Sequence, residues 1–147
     1  MKLGVALLAG LFALSGCATS TGFGTGRTGG SDGGNSNGGR PKTTEEMISA
    51  MGGGLIGGTL GNGLDARERR KALEAEYRAL EYTQSGNNVA WSGDRAGRSG
   101  TVVPAQPYRV GSQDCRQYQH TVTIDGTSRS ARGTACRNPD GSWSILS

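Results

Sequence analysis

Asp125-Gly126 stands midway between Cys115 and Cys136, and both intervening runs are strand-like. Asp-Gly between two such runs is the signature of a two-residue hairpin turn, because both central residues need positive φ. A two-residue loop fixes the register of everything that follows. Ile124 pairs with Thr127, and counting outward by equal steps brings Cys115 opposite Cys136. Pairs alternate between hydrogen-bonded and non-hydrogen-bonded along the hairpin. The cysteines fall on a non-hydrogen-bonded pair, with a Cα separation of about 4.5 Å, within reach of a disulfide. The same alternation puts Tyr118, His120, Val122 and Ile124 on one face, with Ala131, Gly133 and Ala135 across from them. Gln117, Gln119, Thr121, Thr123, Ser128, Ser130 and Arg132 point toward water.

Shorter strand signals lie on either side. Val89–Trp91 and Thr101–Val103 read as strands, with turns at Ser92-Gly-Asp and Gly97–Gly100; Pro104 and Pro107 make the second strand irregular or an edge. Pro139-Asp-Gly141 turns into a last strand, Ser142–Leu146. Before the sheet, Asp65 caps a helix running to about Tyr82, with Gly86 beyond it as a stop. Leu73, Tyr77 and Leu80 share its apolar face, and its five basic and five acidic residues read as a solvated one. The fold class is therefore α+β: a small antiparallel sheet of about 4–5 strands on one helix.

Met47–Leu64 carries no charge, and seven of its residues are glycine. Gly53, Gly57 and Gly61 stand four apart. On a helix they form a flat stripe that lets another helix, or another copy, approach closely. Each glycine costs a helix interior about 1 kcal/mol against alanine. The segment is thus either a zipper packed on a partner or membrane, or a hinge. Thr43 or Thr44, followed by Glu45 and Glu46, marks a helix start.

At the N-terminus, Lys2 precedes an apolar run from Leu3 to Leu14, a signal peptide too short to span a bilayer. Leu14-Ser15-Gly16-Cys17 reads as a lipoprotein cleavage site, with Cys17 lipidated. That assignment accounts for the odd cysteine and leaves Cys115 and Cys136 as a pair, as expected in an oxidising compartment. Ala18–Thr43 lacks large apolar side chains and reads as a tether with a reach of about 25–30 Å. The expected organisation is 1–16 signal peptide, 17–43 lipidated cysteine and tether, 44–64 glycine-zipper-like segment and 65–147 helix-plus-sheet domain.

The net charge of +4 comes from interspersed residues, which argues against nucleic-acid binding. No paired carboxylates, Ser/His/Asp set or metal cluster supports an enzyme, and no cofactor or metal site is expected. His120, the chain's one histidine, lies on the apolar strand face and reads as structural. Trp91 and Trp143 read as core anchors, and Arg116 and Arg137 as packing or surface residues rather than an anion site.

The chain resembles the 17 kDa surface-antigen family of outer-membrane lipoproteins, of the rickettsial type. The matching residues are the Cys17 site, the glycine segment running into Asp65-Ala-Arg-Glu-Arg-Arg70, and Trp91. The tail carries Cys115-Arg-x-Tyr118, Gly133-Thr-Ala-Cys136-Arg137 and Pro139-Asp-Gly141-x-Trp143. The likeness covers about residues 52–147 plus the signal. The family carries a glycine zipper of two apolar halves, and this chain has one. The resemblance implies a lipid-anchored protein of the outer membrane. Its expected role is structural or partner-binding, with membrane lipid as one partner through Cys17 and an envelope protein or a second copy as another. The second reading is a tethered periplasmic module that binds or inhibits a protein.

Overall fold

The structure is a computed structural model, and it describes residues 42–146. The expected signal peptide, Cys17 and nearly all of the expected tether lie outside the described residues. Helix α1 covers Thr44–Ala50 and α2 Ala66–Tyr82. Both begin with a reciprocal capping box, Thr43 with Glu46 and Asp65 with Glu68, which satisfies two otherwise orphaned backbone donors each. Six strands follow: β1 Val89–Ser92, β2 Arg98–Pro104, β3 Tyr108–Val110, β4 Gln113–Ile124, β5 Thr127–Arg137 and β6 Trp143–Leu146. They form one antiparallel sheet in the order β1-β2-β4-β5-β6, with β3 paired to the start of β4.

The hairpin register is the expected one throughout, from Ile124↔Thr127 to Cys115↔Cys136. Asp125 and Gly126 take φ values of 50° and 83°. The disulfide joins Cys115 to Cys136 across a Cα separation of 4.0 Å. Tyr118, His120 and Val122 are buried on the helix side, and Thr121 and Thr123 lie on the outer face, where their hydroxyls pair with Ser130 and Ser128.

The fold differs from expectation in strand number and strand bounds. β3 is three exposed residues, too short to carry a periodic signal, and Gly111 at φ 60° turns it back onto β4. Arg98–Gly100, expected in a turn, belongs to β2; the reversal sits at Gly93–Gly97, closed by the Gly93 N–H to the Arg98 carbonyl. Gly100 must be glycine there, because a Cβ would come within 2.6 Å of Trp91 Cε2. β2 is interior rather than an edge. Its proline lies past the end of β1, whose pairing stops at Val89↔Val102, so no ladder bond is lost.

The glycine segment departs furthest. After α1 the chain takes positive φ at Gly52, Gly53 and Gly54, and then makes two isolated 3-10 turns, Leu55–Gly57 and Thr59–Gly61. The continuous helix that a Gly53–Gly57–Gly61 stripe requires is not formed. Gly53 sits at a left-handed φ of 101°, Gly57 faces open space, and Gly61 is pressed on the Ile56 carbonyl. The apolar side chains turn inward: Met47, Met51, Ile56, Leu60 and Leu64 join Tyr77, Leu80, Val102, Val122 and Trp143 in one core. The folded unit therefore takes in the glycine segment and does not start at Asp65.

This geometry separates two glycines in the stripe region. A Cβ on Gly54 (φ 55°) would collide with Glu76 Oε2, whereas one on Gly57 meets nothing within 4 Å. Gly54→Ala should cost about 1–3 kcal/mol by overpacking, and Gly57→Ala should stay within about 0.5 kcal/mol. Urea titration of the two variants checks this. Equal damage at both positions would restore the stripe.

Candidate functional site

The residues with the most chemical potential meet beneath the sheet. Glu76 of α2 is fully buried, and so is His120 of β4. The Tyr118 hydroxyl and the Leu55 backbone N–H each donate to Glu76 Oε2 at 3.0 Å. His120 Nδ1 lies 2.7 Å from Glu76 Oε1, and Trp91 Nε1 lies 2.9 Å from His120 Nε2. An indole N–H can only donate, so His120 Nε2 must accept and the ring proton resides on Nδ1. The imidazole is then the neutral tautomer, donating to an ionised Glu76. Three donors surround that carboxylate, which is what makes a buried charge tolerable. Burial beside Glu76 pushes the Tyr118 hydroxyl well above its usual pKa. All four side chains consume one another's hydrogen-bonding capacity.

A second buried carboxylate lies about two helical turns away. Glu68 completes its capping box and takes two bonds from Arg95, Nε at 2.9 Å and Nη2 at 2.7 Å. The Arg95 guanidinium holds its pKa below the usual range. At the other end of α2, where no basic residue occupies the last turn, Arg116 reaches across from β4. Its Nη1 donates to the carbonyls of Ala79, Leu80 and Thr83 at 2.8–3.1 Å, and its Nε to Ala105. A cation at a helix C-terminus offsets the partial negative charge there. Arg116 is thus a helix cap, and Arg137 pairs with Glu81. Trp91 and Trp143 are core anchors, 7% and 4% exposed.

Sequence reasoning missed Glu68 and Glu76, both assigned to a solvated helix face. A usable signal existed for Glu76, which stands four residues from both Ala72 and Leu80 on the small, apolar side of α2. Among the described residues, no group of three His, Cys, Asp or Glu side chains is placed to hold a metal, and no helix is long and apolar enough to cross a membrane.

What the molecule presents outward is the far face of the sheet. An open groove of about 790 Å³ lies across it, lined by Val103, Gln117, Gln119, Arg132 and Thr134 among others. Its polar lining is amide and hydroxyl, with one cation and no carboxylate. Beside it, β6 covers β5 only from Thr134 to Arg137, so among the described residues the edge from Thr127 to Gly133 has no strand next to it.

These features define a small, disulfide-held α+β domain whose polar core is closed and whose sheet is open. Residues 78–144 match the family model for the 17 kDa outer membrane surface antigen, and over this region the chain resembles that family. The 17 kDa surface antigen of Rickettsia bellii is 41% identical over 88 residues, 59% of this chain and 55% of that protein. That of Rickettsia conorii is 44% identical over 85 residues, covering 57% and 54%, and that of Rickettsia australis 45% over 80 residues, covering 54% and 52%. The chain spans about half the length of the curated relatives it matches. No solved structure matches it.

Proposed function

We propose that this chain is a surface antigen-like lipoprotein of the bacterial outer membrane, held by acyl chains on Cys17, with a non-enzymatic, partner-binding role. The observation that carries the non-enzymatic part is the consumption of His120: both ring nitrogens are bonded inside a fully buried network, so no general base faces solvent from this residue. The similarity to rickettsial surface antigens supports the location, and Leu14-Ser-Gly-Cys17 supports the anchor. More than one acyl chain makes membrane attachment stable where a single chain is marginal. Because Ile56, Leu60 and Leu64 turn inward, the partner surface is the open sheet rather than a glycine stripe.

Membrane fractionation of cells expressing the wild type and Cys17→Ser tests the anchor. The expected result is loss of the variant from the membrane fraction and of the acyl mass from the intact protein. A variant that still fractionates with membrane, at unchanged mass, would overturn it.

A further inference from the structure

Among the described residues the β5 edge is open over Thr127–Gly133, and its chemistry narrows what can fill it. The hairpin parity directs the N–H and C=O groups of Thr127, Arg129, Ala131 and Gly133 toward β4. Those of Ser128, Ser130 and Arg132 face the other way, toward the side on which β6 pairs with Thr134–Arg137. All three residues are exposed. None of their backbone groups has a partner among the described residues. An edge of this kind is a template for a further strand, and soluble domains normally blunt it with charge, a bulge or proline.

Here two cations flank it. Arg129 donates to the carbonyls of Leu60 and Asn62, and Arg132 Nε to the Gln119 amide oxygen. Both bond only to neutral groups, and neither belongs to an ion pair among the described residues. This charge separates the possible occupants. A second copy pairing edge to edge would gather Arg129 and Arg132 of both copies along one seam, and like charges on adjacent strands repel. The chain's own residues 1–41 carry Lys2, Arg27 and Arg40 against a single Asp32, so they are mismatched too. An acidic segment is complementary.

We infer that the β5 edge, Thr127–Gly133, docks an extended acidic segment of another protein, which adds a strand in line with β6 and sets carboxylates beside Arg129 and Arg132. This rests on the partner-binding part of the proposed function and is independent of the Cys17 anchor.

The test uses the full chain and short Thr/Val host peptides carrying either paired Glu or paired Lys, read by amide shifts and hydrogen exchange. The Glu peptide should slow exchange at Ser128, Ser130 and Arg132, and the Lys peptide should not. Ser130→Pro, which removes an edge N–H that no ladder bond uses, should abolish this binding. Arg132→Glu should weaken the Glu peptide by about fivefold. Equal binding of both peptides, binding of neither, or full binding to Ser130→Pro would overturn the inference. So would protection of the same amides by rising protein concentration alone, which would make a second copy the occupant. Loss of edge binding with normal Cys17 anchoring would remove the edge and leave the anchor standing.

Discussion

Glu76→Ala should be the most damaging single exchange in this chain, lowering the unfolding free energy by about 3–5 kcal/mol in a urea titration. The carboxylate receives bonds from the His120 ring, the Tyr118 hydroxyl and the Leu55 backbone. Its removal leaves three donors buried without acceptors, and each unsatisfied donor costs about 1–3 kcal/mol. The loss also spreads beyond the site. Leu55 N–H ties the glycine segment to the middle of α2, and Gly54 lies flush against the same carboxylate. Hydrogen exchange in Glu76→Ala should therefore quicken first over residues 52–61. Glu76→Gln keeps the volume but turns amide protons toward existing donors, so it should recover only part of the loss. Tyr118→Phe removes one donor without stranding an acceptor and should cost less than either. A Glu76→Ala protein as stable as wild type would mean that the network contributes nothing.

Opening the Cys115–Cys136 bond should cost about 3 kcal/mol, the chain-entropy value for a loop of this length. Both half-cystines are buried, at 0% and 3% exposure, and the bond clamps the far end of the longest hairpin in the sheet. The turn at Asp125-Gly126 fixes one end of the β4–β5 ladder; the disulfide fixes the other, where β3 and β6 also attach. The Cys115→Ala/Cys136→Ala protein should therefore keep its far-UV circular dichroism at low temperature. Its denaturant midpoint should fall, and it should lose the wild type's response to reductant. A midpoint unaffected by both reduction and the double exchange would show the bond to be thermodynamically idle. Thiol titration of the oxidised chain gives an independent check on the pairing.

The hairpin was legible because its information is local. Two residues demand positive φ, and equal spacing from them sets every pair up to the cysteines. The α2 start was legible for the same reason, since the Asp65 side chain caps a backbone N–H within one turn. The glycine segment was not, because spacing by four describes a helix only if the helix exists. Glycine lowers helix stability, and the competing state draws on contacts with α2 and β5 that lie far off in sequence. Leu55 packs near Gly133, and its N–H bonds Glu76. The carboxylates of α2 were misplaced for a related reason. A charge within an acidic and basic run reads as solvated until its buried partners are known, and the side-chain partners of Glu76 sit on β4, more than forty residues downstream. Arg116 as a helix cap was likewise invisible, since the end it serves and the strand that carries it meet only in three dimensions.

His120, the chain's one histidine, is a closed structural element rather than a working group. The 15N spectrum of the His120 ring at neutral pH reads this directly. The network predicts a protonated Nδ1, a bare Nε2 accepting from Trp91, and slow exchange of the Nδ1 proton with water. A protonated Nε2, or a ring proton in fast exchange with solvent, would contradict it.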